Sequence, residues 1–83
     1  MKVRYFAWVR ERVGRGEEEI AVPADVGNVA ELMQWLAGRD EGYRAAFAEP
    51  GIIRAALDHD HVGHETPLGQ AREVAFFPPM TGG

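Results

Sequence analysis

Residues 73–83 of the chain read EVAFFPPMTGG. In the first five of these residues, Val74 and Phe76 fall on the same side of an extended backbone, which is the pattern of a strand that covers a core. Two prolines follow, and proline can continue neither a β-ladder nor a helix. The strand is therefore predicted to end at Phe77, with Phe76 anchoring it in the core.

The residues after this strand are predicted to form an extended tail over positions 78–83, attached to a domain over positions 1–77. A proline pair favours the polyproline conformation, so the root of the tail loses less entropy when a partner straightens it. Gly82 and Gly83 lack a Cβ, which lets their backbone enter a slot too narrow for any other residue. The tail is interpreted as a segment that inserts into a partner, and the alternative is a frayed terminus.

Composition limits the chemistry available to the chain. Its 83 residues suffice for one small domain. There is no cysteine, which excludes disulfides, thiolate metal sites and a side chain that carries sulfur, and there is no serine nucleophile. The net charge of −4 argues against a nucleic-acid partner. Neither a signal peptide nor a membrane span is predicted, so we expect a soluble, cytoplasmic protein.

The N-terminal segment alternates with a period of two from residue 2 to residue 9, which predicts a strand whose odd-numbered side chains face the core. Phe6 and Trp8 then lie on the other face, covered either by a partner or by another element of the chain. The glycine-punctuated residues 10–16 predict a turn into a second strand over residues 18–22, so that the two strands form a hairpin.

A capped helix is the clearest element of the sequence. Asn28 precedes Glu31 at the spacing of a capping box, apolar residues follow at i, i+3, i+4 and i+7, and Gly38 suits the C-terminal cap. A short second helix is predicted over residues 40–48, and alternation over residues 53–58 predicts a third strand.

Two polar clusters raise the question of a bound ion. Residues 58–65 hold every histidine of the chain together with several carboxylates, but no helical i, i+4 pair of ligands is present, so a polar hairpin is favoured over a metal site. Arg10, Arg12 and Arg15 are compatible with a phosphate site, and a solvated loop is the favoured interpretation. The carboxylates lie in turns predicted to be exposed, which argues against acid–base catalysis.

The order of elements is that of an α+β roll in which a mixed sheet grips one helix. Several motifs also resemble the small subunit of molybdopterin synthase, a family with the ubiquitin-like β-grasp fold. These motifs are YFA at residues 5–7, RE at residues 10–11, the capped helix, TPL at residues 66–68 and, above all, residues 73–83. The resemblance implies a β-grasp sheet of four to five strands around one main helix, with a free C-terminal tail.

The resemblance also implies a sulfur carrier. In this family an E1-like enzyme uses ATP to adenylate the C-terminal carboxylate, a sulfur donor converts it to a thiocarboxylate, and the large synthase subunit uses that sulfur to convert cyclic pyranopterin monophosphate. Two small and two large subunits assemble, and the catalytic lysines belong to the large subunit. The chain alone is then neither an enzyme nor the holder of a cofactor or metal.

Individual residues take roles by the same resemblance. Gly83 is expected to carry the thiocarboxylate. The residues expected to insert with it are Pro78, Pro79, Met80, Thr81 and Gly82. Phe6 and Phe77 match positions on the partner-facing sheet. His61 is expected at a loop position that is more often apolar in the family, and it is also assigned to the partner contact. Because an α-carboxylate is ionised and unreactive at neutral pH, it needs activation before sulfur can attach.

Other readings stay open. A β-grasp sulfur carrier could serve another acceptor, such as the thiamine thiazole or a tRNA base, although the aromatic and proline pairs before the tail favour the pterin pathway. A ubiquitin-like modifier or a passive interaction module belongs to a different class.

Overall fold

The computed structural model describes residues 1–79 of the chain. Its elements in chain order are β1 Lys2–Tyr5, α1 Ala7–Val13, β2 Glu17–Glu19, α2 Val29–Ala37, α3 Glu41–Ala46, a 3-10 turn at Pro50–Ile52, β3 Arg54–Leu57, β4 Asp60–Val62 and β5 Glu73–Phe77. None of the helices within residues 1–79 combines the length and the hydropathy that a membrane span requires.

The five strands form one mixed sheet in the order β2-β1-β5-β3-β4. The central strands β1 and β5 run parallel, with Val3 opposite Val74 and Tyr5 opposite Phe76. The other neighbours pair antiparallel. The last strand of the sequence is therefore buried between two others, which holds the root of the tail in place.

One face of the sheet packs against the helices. The helix α2 contributes Val29, Leu32, Met33 and Leu36, each at most 1% exposed, to the same apolar cluster as the inward side chains of the strands. The strand residues in that cluster are Val3, Tyr5, Ala55, Leu57, Val74 and Phe76. The predicted mixed sheet around one main helix is confirmed.

The prediction of one long strand over residues 2–9 was wrong. The strand ends at Tyr5, and residues 7–13 form α1. Ala7 has a φ of 53°, which turns the backbone out of the sheet, and Gly14, with a φ of 92°, closes the helix by donating its N–H to the carbonyl of Arg10 at 2.8 Å. The period-2 pattern did not distinguish the two structures, because Val9 is a core residue in a strand over residues 2–9 and also in the helix α1.

Residues 10–13, predicted as part of a turn, belong to α1 instead. The predicted antiparallel pairing of the first two strands is confirmed, but a helix connects them and β2 is the shorter segment of residues 17–19. Trp8 lies on α1, partly buried, with the guanidinium of Arg12 4.4 Å from its ring centroid. Trp8 is thus packed in part against the core of its own chain.

The capped helix is confirmed in its residues. The side chain of Asn28 accepts a hydrogen bond from the N–H of Glu31 at 2.8 Å, and the carboxylate of Glu31 returns to the N–H of Gly27 at 2.8 Å rather than to that of Asn28. Gly38 is the C-terminal cap. The second helix, the third strand and the hairpin after it are also found where the sequence predicts them.

Candidate functional site

The strand β5 presents two aromatic side chains to opposite faces of the sheet. Phe76 is fully buried, stacked 6.5 Å from Tyr5 and edge-on 5.2 Å from Phe47. Phe77, the next residue, lies half-buried on the face of the sheet opposite the helices, which we call the open face. The predicted directions of the two side chains, with Phe76 in the core and Phe77 on the outer face, are confirmed.

Phe6 lies beside Phe77 at the root of the tail. Its N–H donates to the carbonyl of Phe76 at 3.1 Å, so the parallel ladder continues one residue beyond β1. The positive φ of Ala7 then diverts the chain into α1 and leaves the Phe6 side chain 40% exposed on the open face. The guanidinium of Arg4 covers part of that ring, 5.2 Å from its centroid.

His61 forms the other side of the same region. It lies on β4 opposite Ala56, and its ring is tilted against that of Phe77 with 5.1 Å between the centroids. Phe6, His61 and Phe77 therefore come together on one face. The shared face of Phe6 and Phe77 agrees with the prediction, whereas His61 lies in strand β4 and not in a loop.

The open face has a hollow at its centre. Ala56 and Ala75, directly opposite each other on β3 and β5, form a floor of small side chains between the aromatic residues. The result is a groove of about 570 Å³, lined at one end by Pro78 and Pro79. We refer to this region as the tail-root groove. Pro78 is half-buried and Pro79 is exposed, while the remaining predicted tail residues, Met80, Thr81, Gly82 and Gly83, lie outside the described residues.

Charged side chains, Arg4, His59 and Glu73, also line the tail-root groove, and the ion pairs continue from there toward the other end of the open face. Glu73 lies 3.8 Å from a guanidinium nitrogen of Arg4 and 3.9 Å from Nδ1 of His59. Glu17 lies 3.6 Å from the ammonium of Lys2 and 3.8 Å from Arg4. Acidic and basic side chains thus alternate across the strands and pair with one another there.

The three histidines have separate surroundings. His64 makes a 2.7 Å hydrogen bond between Nε2 and the carbonyl oxygen of Ile53, His59 lies beside Glu73, and His61 packs on Phe77. Within the part of the chain that the structure describes, no three potential metal-ligating side chains are grouped.

The three arginines also point to separate partners. Arg12 donates to the carbonyl of Ala45 at 3.4 Å, and Arg15 pairs with Glu18 at 3.4 Å. The guanidinium of Arg10 lies against the backbone at Gly16. Arg10 and Arg12 lie on α1 rather than in a loop, and the three do not converge on one phosphate-sized site.

A partly buried polar cluster around Glu18 was missed by the sequence analysis. Its carboxylate, 10% exposed, accepts hydrogen bonds from the hydroxyls of Tyr5, at 2.8 Å, and Tyr43, and pairs with Arg39 at 3.1 Å. Glu18 stands in a run of three glutamates, and only the inward direction of the middle residue of β2 could have indicated it.

The cluster shifts the ionisation of its members. Partial burial acts to raise the pKa of Glu18, but the hydrogen bonds from Tyr43 and Tyr5 and the nearby Arg39 outweigh it and hold that pKa below its ordinary value. Burial and the adjacent carboxylate raise the pKa of Tyr5 and of Tyr43. These groups join β1, β2 and α3, and they lie on the inner side of the sheet, away from the tail-root groove.

A mixed sheet that grips one main helix and places its last strand in the centre defines the ubiquitin-like β-grasp class. Two solved structures share this fold. SAMP1 from Haloferax volcanii superposes with a TM-score of 0.71 and 21% identity, over 100% of this chain and 98% of that one. A putative molybdopterin converting factor subunit 1 from Pyrococcus furiosus superposes with a TM-score of 0.65 and 23% identity, over 94% of each chain.

Sequence comparison narrows the class to a family. Residues 3–83 match the model of the ThiS family, and the chain belongs to that family. Over all 83 residues it is 42% identical to the molybdopterin synthase sulfur carrier subunit of Escherichia coli strain K12 and 29% identical to the protein of the same name from Haemophilus influenzae, covering 99% of each.

Proposed function

We propose that this chain is the sulfur carrier subunit of a molybdopterin synthase. The observation that carries the proposal is the 42% identity, over the whole chain, to a protein of that name. The fold supports it, because β5 is held between two strands and ends at an open groove from which a tail can be presented.

The chemistry of the proposal centres on the carboxylate of Gly83. A carboxylate oxygen attacks the α-phosphorus of ATP and releases pyrophosphate, which gives an acyl adenylate on an E1-like activating enzyme. A hydrosulfide ion released by a sulfur donor then attacks the carbonyl carbon, the bond from that carbon to the oxygen of AMP breaks, and loss of the S–H proton leaves a thiocarboxylate. Since the chain has no cysteine, Gly83 is the position where sulfur can be carried.

The partner completes the reaction. We propose that the thiocarboxylate enters the large synthase subunit, in an assembly of two small and two large subunits, and donates its sulfur to cyclic pyranopterin monophosphate. Two such donations provide the two sulfurs of a dithiolene. We also propose that the catalytic groups belong to the partner, that this chain binds no cofactor or metal, and that the reaction takes place in the cytoplasm.

Mass spectrometry tests the loading step directly. The protein is incubated with the activating enzyme, ATP and a sulfur donor, and the C-terminal peptide is analysed. We expect one oxygen of Gly83 to be replaced by one sulfur, and no replacement when ATP is omitted. A Gly83 that keeps an ordinary carboxylate with all components present would contradict the proposal.

A sulfur carrier for a different acceptor, such as the thiamine thiazole or a tRNA base, shares the same fold and tail chemistry. The names of the two curated relatives favour the pterin acceptor. Complementation separates these functions: the chain is expected to restore molybdopterin formation in a strain that lacks its own pterin carrier, and to leave a strain that lacks its thiazole carrier unrescued.

A further inference from the structure

We propose that the placement of amines in this chain protects its own activated tail from capture. Once the carboxylate of Gly83 is an acyl adenylate, an amine that reaches its carbonyl carbon can attack it. The nitrogen forms an amide bond and loses a proton, the bond from the carbon to the oxygen of AMP breaks, and the chain is lost as an internal lactam. The inference rests on the proposed function and adds to it a property of the carrier itself.

The basic side chains of the chain are almost all arginines. Lys2 is the only lysine, whereas arginine occurs eight times. A guanidinium stays protonated at neutral pH, so it has no free electron pair with which to attack a carbonyl carbon, whereas the unprotonated amine of a lysine is a nucleophile. Eight of the nine basic side chains therefore supply positive charge without supplying a nucleophile.

The basic side chain beside the end of β5 is one of these arginines. Arg54 is exposed and lies directly across from Phe77 on the neighbouring strand, so the two side chains share the open face. The four residues 80–83 span at most about 13 Å, which is enough for the end of the tail to fold back to this position. An amine at position 54 would therefore lie within reach of an activated Gly83.

The single lysine lies at the other end of the sheet. The strands β1 and β5 run parallel, and Lys2 is level with Glu73, roughly 13 Å back along β5 from Phe77. Its ammonium lies 3.6 Å from a carboxylate oxygen of Glu17 on β2. Since β2 and β5 flank β1 on opposite sides, this contact directs the Lys2 side chain away from β5.

The two prolines add to the separation between Lys2 and the end of the tail. Pro78 and Pro79 favour an extended chain directly after β5, so residues 80–83 must cover the whole return. Their span of about 13 Å is too short to bring the backbone back to the level of Lys2. The tail of one molecule therefore does not reach the lysine of the same molecule.

The α-amine of Met1 is also held at the end of the sheet remote from the tail. It donates a hydrogen bond to the carbonyl oxygen of Ile20 at 2.9 Å and lies 2.7 Å from a carboxylate oxygen of Glu19. Both amines are thus paired with carboxylates of β2, beyond the reach of the tail.

The experiment places a new amine at either end of β5. Arg54→Lys adds one next to the end of the strand, and Arg72→Lys is the matched control, because Arg72 is also exposed but immediately precedes the first residue of β5. Both substitutions keep the positive charge. The wild type and both variants are prepared as full chains with the carboxylate of Gly83 converted to a thioester of a small thiol.

Lactam formation is then followed by mass spectrometry at mildly alkaline pH, where a fraction of lysine amines is unprotonated. The amine attacks the carbonyl carbon of Gly83, the carbon–sulfur bond breaks, and the thiol departs with the proton. The product is lighter than the free acid by one water molecule, and fragmentation identifies the nitrogen that is linked to Gly83.

We expect Arg54→Lys to form the lactam at least about tenfold faster than the wild type, because an amine held near the carbonyl carbon has a high effective concentration. The wild type and Arg72→Lys should form none. A lactam in the wild type, a failure of Arg54→Lys to form one, or equal rates for the two variants would each overturn the inference.

A separate measurement tests the proposed function alone. The wild type with a free carboxylate is incubated with the activating enzyme and ATP, and pyrophosphate release is followed. If no pyrophosphate is released, the loading step of the proposed function is wrong. The thioesters need neither ATP nor the activating enzyme, so their comparison decides the placement of the amines in either case.

Discussion

At the scale of single residues, the turn between β3 and β4 stores strain. Asp58 and His59 form a two-residue hairpin loop, and their φ angles of 47° and 74° are left-handed. Hydrogen bonds offset the strain at Asp58, because its carboxylate accepts hydrogen bonds from the N–H groups of Arg72 and Glu73, both at 3.0 Å. His59 is 79% exposed, and its contact with Glu73, at 3.9 Å, is a long contact at the surface.

His59→Gly is therefore predicted to stabilise the protein. Glycine adopts the left-handed region without the steric cost that a side chain incurs, so the free energy of unfolding should rise by about 0.5–1 kcal/mol. Denaturant unfolding measures this change. His61→Gly is the control, because His61 lies in β4 and glycine in a strand is destabilising. A His59→Gly variant less stable than the wild type would show that the φ of His59 carries no such cost.

A second residue-scale prediction concerns Gly82. Gly82→Ala is expected to leave thermal stability unchanged and to reduce sulfur transfer by about tenfold or more, because one methyl group displaces a backbone that must fit a narrow slot. Gly51→Ala is the matched control, since a Cβ at Gly51 meets no atom within 4 Å. The rate of sulfur transfer, measured with the large subunit at saturating concentration, distinguishes the two variants. Normal sulfur transfer by Gly82→Ala would contradict the requirement for a narrow slot.

At the scale of elements, we expect β5 to separate stability from docking between two adjacent residues. Phe76→Ala should lower the free energy of unfolding by about 3–5 kcal/mol, because it removes a ring from a fully buried site. Phe77→Ala should cost far less stability and should weaken binding to the large subunit. Parallel unfolding and binding measurements check both, and equal stability losses would mean that the open face is part of the core.

The cluster around Glu18 is predicted to make the attachment of β2 dependent on pH. The pKa of Glu18 is lowered in the folded state from an ordinary value of 4.5, so its stabilising effect is complete above that value and is lost as the pH falls below it. Glu18→Gln should lower the free energy of unfolding at pH 7 by about 1.5–3 kcal/mol, and the difference from the wild type should shrink below about pH 4.5.

Glu17→Gln is the control for this pH dependence. Glu17 is on the same strand, but it is 54% exposed and its cation contacts are 3.6 and 3.8 Å long. Its replacement should change stability little at any pH. If the difference between wild type and Glu18→Gln were the same at pH 7 and at pH 3, the hydrogen bonds to Glu18 would not depend on its charge.

The elements also show what sequence patterns determine. The helix α2 was predictable because its cap, apolar stripe and closing glycine all agree. The helix α1 was not predictable, because a strand and a helix would both bury Val9. The feature that decides between them is the positive φ of Ala7, and the presence of an alanine gives no indication of a positive φ. The Glu18 cluster depends on Tyr5, Tyr43 and Arg39, which are distant in sequence, so local patterns could not reveal it.

At the scale of the whole molecule, one part of the candidate site was predictable from the sequence and another part was not. The aromatic residues and prolines near the tail were predictable from the resemblance of residues 73–83 to a known family. The groove was not, because its floor is formed by Ala56 and Ala75, whose proximity follows from the pairing of β3 with β5. Small residues give no signal in a sequence, and only the assembled sheet shows the hollow that they leave.

Removal of residues 80–83 tests whether folding and delivery are separate properties of the molecule. The apolar core is formed between Val3 and Phe76, so the shortened chain should keep a cooperative transition with a melting temperature within about 2 °C of the full chain. It should carry no sulfur after incubation with the activating enzyme and ATP. It should still compete with the full chain for the large subunit, although more weakly, because the tail-root groove remains. A large drop in melting temperature would mean that the tail supports the fold, and a complete loss of competition would mean that the tail alone provides the binding.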